Sequence, residues 1–206
     1  MILSAKDAPT LLPIDSRVTM VEFIGTKKDV ENTLDSVQDL LKHNKVQVAR
    51  TLLNTLQSEI DITVVSLPLV TYPDALKLAA KYLHDNKVEK AKSVLEVALS
   101  TFDKTTTVVP LPLLKATDLI NVSASLSKNG KKDEALKYLK AAEDQLDVAE
   151  ALGYVSHSST TYKAMHTAIQ HVRKEIKGKN KAEKLFDTLK NDLKDFKDKI
   201  FSEKAK

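Results

Sequence analysis

The residue types that could do chemistry begin with five histidines: His43, His84, His157, His166 and His171. A metal centre needs several such ligands to converge. His166 and Tyr162 stand one helical turn apart, whereas His171, five residues beyond His166, falls off that face. His43 and His84 sit in short polar turns, where solvated or helix-capping roles are expected. His157 lies among Ser156, Ser158 and Ser159, which supplies nucleophile and base types side by side. Neighbours in sequence rarely converge as a working pair, and no GxSxG elbow accompanies them. No metal ligand is expected among these residues, and no catalytic nucleophile.

Carboxylates come next. Glu143 and Asp144 in KAAEDQ are adjacent, so on a helix they point about 100° apart and cannot form an acid–base pair. Asp147 is four residues from Glu143 and can share its face. The expected role of this group is a solvated acidic face with Lys140 nearby. Arg17 is one of three arginines and stands beside Asp15 in a segment that otherwise reads as strand. A structural ion pair tying an N-terminal strand to the helices is expected of it, ahead of an anion site.

Composition narrows the classes further. The chain has 206 residues, 42% of them hydrophobic, enough for a core without covalent staples. It has no cysteine, which excludes disulfides, thiolate zinc sites, iron–sulfur clusters and cysteine nucleophiles. Four glycines argue against phosphate-cradling loops, and the absence of tryptophan, with 5% aromatics, is poor provision for base stacking. The net charge of +4 is unevenly placed, because residues 173–206 hold twelve Lys/Arg against seven Asp/Glu. Lysines interleaved with acids read as a solvated helix face, so no nucleic acid is expected as a partner. No stretch approaches the roughly 18 apolar residues of a membrane span, so no integral span is expected. In the opening MILSAKDAPTLLP, Lys6 and Asp7 interrupt any signal-peptide core. Read as a complete chain, this is a soluble cytoplasmic protein.

The elements that must position these residues come from an internal repeat. LLKHNKVQVARTLLNTL from Leu40, YLHDNKVEKAKSVLEVAL from Tyr82 and LSKNGKKDEALKYLKAAEDQL from Leu126 align. Ala49, Ala91 and Ala135 correspond, at spacings of 42 and 44. Each segment reads as one helix ending in a polar turn (HNK, DNK, NGK) and a second helix starting, the pattern of an antiparallel pair. IDITVVSLPL and TTTVVPLPL precede the second and third pairs, and RVTMVEFI is a weaker version before the first. Their alternation predicts extended segments near 17–24, 60–67 and 105–110. Thr26 and Asp29 fit a capping box opening the first helix. Predicted core stripes are Val30, Leu34, Val37 and Leu41; Val46, Ala49, Leu52, Leu53 and Leu56; Leu76, Ala79, Ala80 and Leu83. They continue with Val88, Ala91, Val94, Leu95, Ala98 and Phe102; Leu119, Ile120, Val122 and Leu126; and Ala135, Leu136, Leu139, Ala142 and Leu146. After the polar break at Ser156–Thr161, Tyr162–Ile176 reads as a helix, interrupted by Gly178 and Asn180. Leu185, Leu189, Leu193, Phe196 and Ile200 then form a narrow stripe able to dock on the body or on another chain.

VVPLPLLKATDLI at Val108–Ile120, followed by LSKNGKKDEALKYLKAAEDQLDVAEALGY at Leu126–Tyr154, resembles the C-terminal core of the YfdX family. LPIDSRVTMVEFIGT at Leu12–Thr26 is similar to that family's extended segment, and 73–107 resembles it more loosely. The resemblance implies a bacterial, mostly helical protein, usually exported to the periplasm with its leader removed. It also implies a link to stress responses and chaperone-like activity. No catalytic residue set accompanies the family, so none is carried over.

The fold expected is all-α: three repeated helical hairpins with a repeat of 42–44 residues, short extended linkers able to form a small β-sheet, and C-terminal helices. The hairpin core is expected over 1–155 and a helical extension over 156–206. The function expected is a non-enzymatic, stress-associated protein that forms homo-oligomers or binds client proteins, with no cofactor. The alternative is a small-ligand or scaffold module with a pocket between the repeats.

Overall fold

The computed structural model describes residues 10–156, 158–178 and 183–203. His157, Asn180 and the first nine residues, about which expectations were formed, lie outside them. The described elements run β1 (Leu11–Val21), α1 (Lys27–Lys42), α2 (Val46–Asn54), β2 (Glu59–Pro68), α3 (Tyr72–His84), α4 (Val88–Ser100), β3 (Asp103–Pro110), α5 (Leu111–Lys128), α6 (Lys132–Ala151), α7 (Thr160–Lys177) and α8 (Glu183–Glu203). The chain is thus mostly helical with a small sheet, not purely α. The three extended segments are full strands, ordered β1-β2-β3. Leu69 N–H, after the end of β2, donates to Thr10 O, before the start of β1, at 3.0 Å, and Leu111 N–H, after the end of β3, donates to Ser58 O, before the start of β2, at 2.9 Å, so both pairings are antiparallel. No helix among the described residues is long and apolar enough to cross a membrane.

The polar turns close in one way. Asn44 and Asn86 take φ of 57° and Gly130 a φ of 79°, the left-handed conformation that reverses a chain at a helix end. In each turn the following lysine N–H returns to a carbonyl five residues back: Lys45 to Leu40, Lys87 to Tyr82 and Lys131 to Leu126, at 2.8–3.0 Å. Orphan carbonyls of the first helix are thereby satisfied. Gly130 has open space around a would-be Cβ. Gly130→Ala is therefore expected to cost only the backbone strain, about 1 kcal/mol, read as a shifted urea midpoint at unchanged slope. The capping box at α1 is formed, with Asp29 Oδ2 accepting from Thr26 N–H at 2.7 Å. Those bonds from Thr26 hold the exposed Asp29 carboxyl below its ordinary range. Pro73 and Pro112 fall in the first turns of α3 and α5, where a missing N–H costs nothing.

Contacts divide the chain into two compact units. One is built from residues up to Thr19 with Asp61–Thr107, and contains α3, α4 and the greater part of every strand. In it Ala79, Ala91 and Ala98 are buried, but Leu76, Leu83 and Val88 are exposed and Leu95 is only half-buried. The stripe expected there narrows to its alanines. Two helices bury only the seam between them, and large side chains flanking the seam need a third layer.

The other unit comprises Met20–Ile60 with Val108 onwards. Its core runs through four helices at spacings of three and four. Leu113, Ala116, Ile120 and Ala124 come from α5; Ala135, Leu139, Ala142, Leu146 and Ala149 from α6. Tyr162, Met165, Ile169, Val172 and Ile176 come from α7, and Phe186, Leu189 and Leu193 from α8. Small residues let α5 and α6 approach until the Ser123 hydroxyl, fully buried, donates to Ala135 O at 2.8 Å. Two expectations shift here. α5 is buried from its first turn, at Leu111, Pro112 and Leu113, and leaves Val122 exposed, and on α8 Phe186 is buried where Leu185 had been expected. Nothing is described of the side chains of Phe196 and Ile200. On α1, Val30 and Val37 are buried while Leu41 is exposed.

Candidate functional site

The densest polar grouping lies between α6 and α7. α6 presents Lys140, Glu143, Asp144 and Asp147, and α7 answers with Tyr162, His166 and Arg173, at spacings of four and seven that keep all three on one face. Glu143 was expected in solvent. Instead it is 7% exposed, and Arg173 Nη2 donates to its Oε2. Lys140 Nζ stands 3.7 Å from that oxygen, and His166 Nδ1 3.6 Å from Oε1. Burial on its own pushes the Glu143 carboxyl up. The Arg173 hydrogen bond and charge, joined by Lys140 and His166, outweigh it and hold the group below its ordinary range.

Asp147 is the second acceptor. Tyr162 OH donates to its Oδ1 at 3.2 Å, and His166 Nε2 lies 3.0 Å from the same oxygen and 3.0 Å from the Tyr162 oxygen. An N–H at Nε2 satisfies both contacts. Burial, then the Asp147 charge and hydrogen bond, hold the Tyr162 phenol well above its ordinary value, so it remains a donor. The tyrosine and histidine rings also pack, with centroids 4.9 Å apart. Asp144 accepts from Lys140, and this pairing raises the lysine's pKa. Further along, Lys27 Nζ reaches Glu150 Oε2 at 2.8 Å, and that hydrogen bond raises the lysine's pKa.

Chemically, this arrangement ties two helices. Glu143 and Asp147 do share a face, as their spacing requires, but Glu143 is engaged by a guanidinium and Asp147 by a phenol and an imidazole. Within the grouping, only the Arg173 Nε is buried without a hydrogen bond. The sequence reading missed Arg173. Its one available signal was an arginine seven residues after His166 on an otherwise lysine-rich helix.

Other candidates are dispersed. His43 caps its own helix, its Nδ1 lying 2.8 Å from Asp39 O, while His84 and His171 are exposed. Among the described residues no group of three His, Cys, Asp or Glu is placed to hold a metal ion. Arg17 is exposed and forms no ion pair among the described residues, so the expected tie to the helices is absent. The extended strand holds it away in solvent. Residues just past the strand make such a tie instead, Lys115 Nζ meeting Glu22 Oε1 at 2.5 Å.

A second feature belongs to the smaller unit. A groove of about 490 Å³ opens along α3 and α4, lined by Tyr72, Ala75, Leu78, Val94, Val97 and Ala98 with a few polar neighbours. The Tyr72 ring packs on Phe102 with centroids 5.6 Å apart. The groove lies within one hairpin, not between two.

Comparison with known proteins gives one family match. A family profile described as YfdX protein matches residues 2–108. The match includes the segment Leu12–Thr26 and the second hairpin, and stops where the VVPLPL segment begins. A solved structure of Salmonella Typhi YfdX is 15% identical, with a TM-score of 0.32, over 49% of this chain. The chain spans 58% of that protein's length. No curated protein matches.

Proposed function

The chain belongs to the YfdX family, and from that premise we propose that it is a non-enzymatic bacterial stress protein that binds unfolding client proteins. The observation that carries the reading is the open α3–α4 groove. Leu78 and Val97, 42% and 64% exposed, stand on its walls, and apolar side chains held open to water suit the apolar segments an unfolding chain releases. A small-ligand site would be better served by an enclosed cavity with converging polar groups. The same reading takes the protein to be periplasmic, and takes its three hairpins as copies of one 42–44-residue unit. Supporting the latter are the matching turn bonds and the buried Ala49, Ala91 and Ala135, each at the fourth residue of its helix.

The test is light scattering from a chemically unfolded client diluted into buffer with the full chain. Suppression is expected at equimolar protein, and Leu78→Asp with Val97→Asp is expected to require roughly tenfold more protein for the same effect. Both positions are exposed, so the helical spectrum should persist. Undiminished client aggregation at equimolar wild type, or full suppression by the double variant, overturns the reading.

A further inference from the structure

From the edge strand we infer that β1 pairs antiparallel with β1 of a second copy, Ser16 opposite Ser16. Among the described residues β1 lies at the margin of the sheet, hydrogen-bonded to β2 on one side only, and all eleven of its residues are exposed. Five of them are large and apolar within Leu12–Val21, with Val18 at 65% and Met20 at 64% exposure. A long apolar edge of this kind is a template for another strand unless it is guarded. The other edge is guarded: β3 carries Lys104, a run of three threonines and a terminal proline. β1 carries no lysine; its guards are Pro13 and one charge of each sign, Asp15 and Arg17, which a matching strand can neutralise.

The occupant follows from the sequence of β1 itself. With Ser16 on a two-fold axis, residues whose numbers are equally displaced from 16 face each other. Asp15 then meets Arg17 of the second copy, and Arg17 meets its Asp15, so two opposite-charge pairs flank the axis. Ile14 meets Val18, Leu12 meets Met20 and Leu11 meets Val21, apolar on apolar at every outer position but one. That one is Pro13 against Thr19, where the missing N–H weakens the ladder locally, and proline is tolerated in strands at edges. Directly opposed side chains in such a pair lie about 5 Å apart, close enough for the charges to bond. A two-fold axis requires a self-complementary patch, which β1 supplies. It also gives Asp15 and Arg17 ion-pair partners, which neither has among the described residues of the single chain.

The pairing stands independently of client binding, and the two are separable by experiment. Sedimentation equilibrium of the full chain at about 5–100 μM, the range over which a micromolar pairing fills, is expected to give a dimer. Asp15→Arg and Arg17→Asp, each placing like charges opposite, should each raise its dissociation constant about tenfold. The double exchange D15R/R17D restores both pairs and should return the constant to within about threefold of wild type. Opposed Cα atoms of an antiparallel pair fall within disulfide reach. Because the chain has no cysteine, Ser16→Cys should cross-link two copies under mild oxidation while Val70→Cys, 70% exposed, should not. A monomeric wild type at the highest concentration overturns the pairing. So do single exchanges with unchanged dissociation, a double exchange without recovery, or Ser16→Cys cross-linking no faster than Val70→Cys. Lost client suppression with the dimer intact overturns the client reading alone.

Discussion

Leu139→Ala is expected to cost about 2–5 kcal/mol, seen as a lowered urea midpoint with little change of slope. Leu139 is fully buried at the middle of α6, within the core shared by α5, α6, α7 and α8. Its removal leaves a cavity that four packed helices close only in part. Leu189→Ala should cost a similar amount, because that side chain is equally buried although it lies far down a charged helix. Leu185→Ala, four residues earlier and exposed, should stay within about 0.5 kcal/mol. Equal effects at 185 and 189 would show that α8 does not dock through the face of Phe186, Leu189 and Leu193. Leu95→Ala, half-buried in a two-helix hairpin, should fall between these values.

Arg173→Met is expected to cost about 3 kcal/mol at neutral pH, because it leaves the buried Glu143 carboxylate with only Lys140 and His166 beside it. Removing both charges with Glu143→Leu and Arg173→Met should recover most of the loss, since the pair's own desolvation also disappears. The buried, unbonded Nε of Arg173 is part of that cost.

The pH dependence has a definite sign. In the wild type Glu143 titrates below its unfolded value, so its contribution is fully present above about pH 4.5 and is lost as the pH falls through the lower folded value. In the single variant burial dominates and pushes the carboxyl up, so acidification relieves the variant first. The stability difference between the two proteins should therefore narrow between pH 7 and pH 4.5 in parallel urea titrations. A difference that stays constant, or widens toward acid, would refute the assigned roles of Arg173 and Glu143.

Local structure was written into the residues. Asn44, Asn86 and Gly130 fix the turns because few other residues tolerate a left-handed backbone, and Thr26 with Asp29 starts α1. Alternation in IDITVV marks a strand whatever surrounds it. Ala49, Ala91 and Ala135 mark seams because only a small side chain fits where two helices touch. These are interactions within a few residues, so one sequence suffices to read them. The pairing of the three extended segments into one sheet needed long-range bonds such as Thr63 with Thr106, which no local pattern encodes.

Burial was decided at longer range. Leu95 and Leu139 occupy matching places in two hairpins and read alike in sequence, yet only Leu139 is fully buried, because α7 and α8 cover its hairpin. Glu143 reads as one more acid on a charged helix until Arg173, thirty residues away, is brought against it. Hydrophobic spacing determines that a face is apolar. Which faces meet, and which charge enters the core with a partner, depends on contacts between distant segments, and only the tertiary structure supplies those.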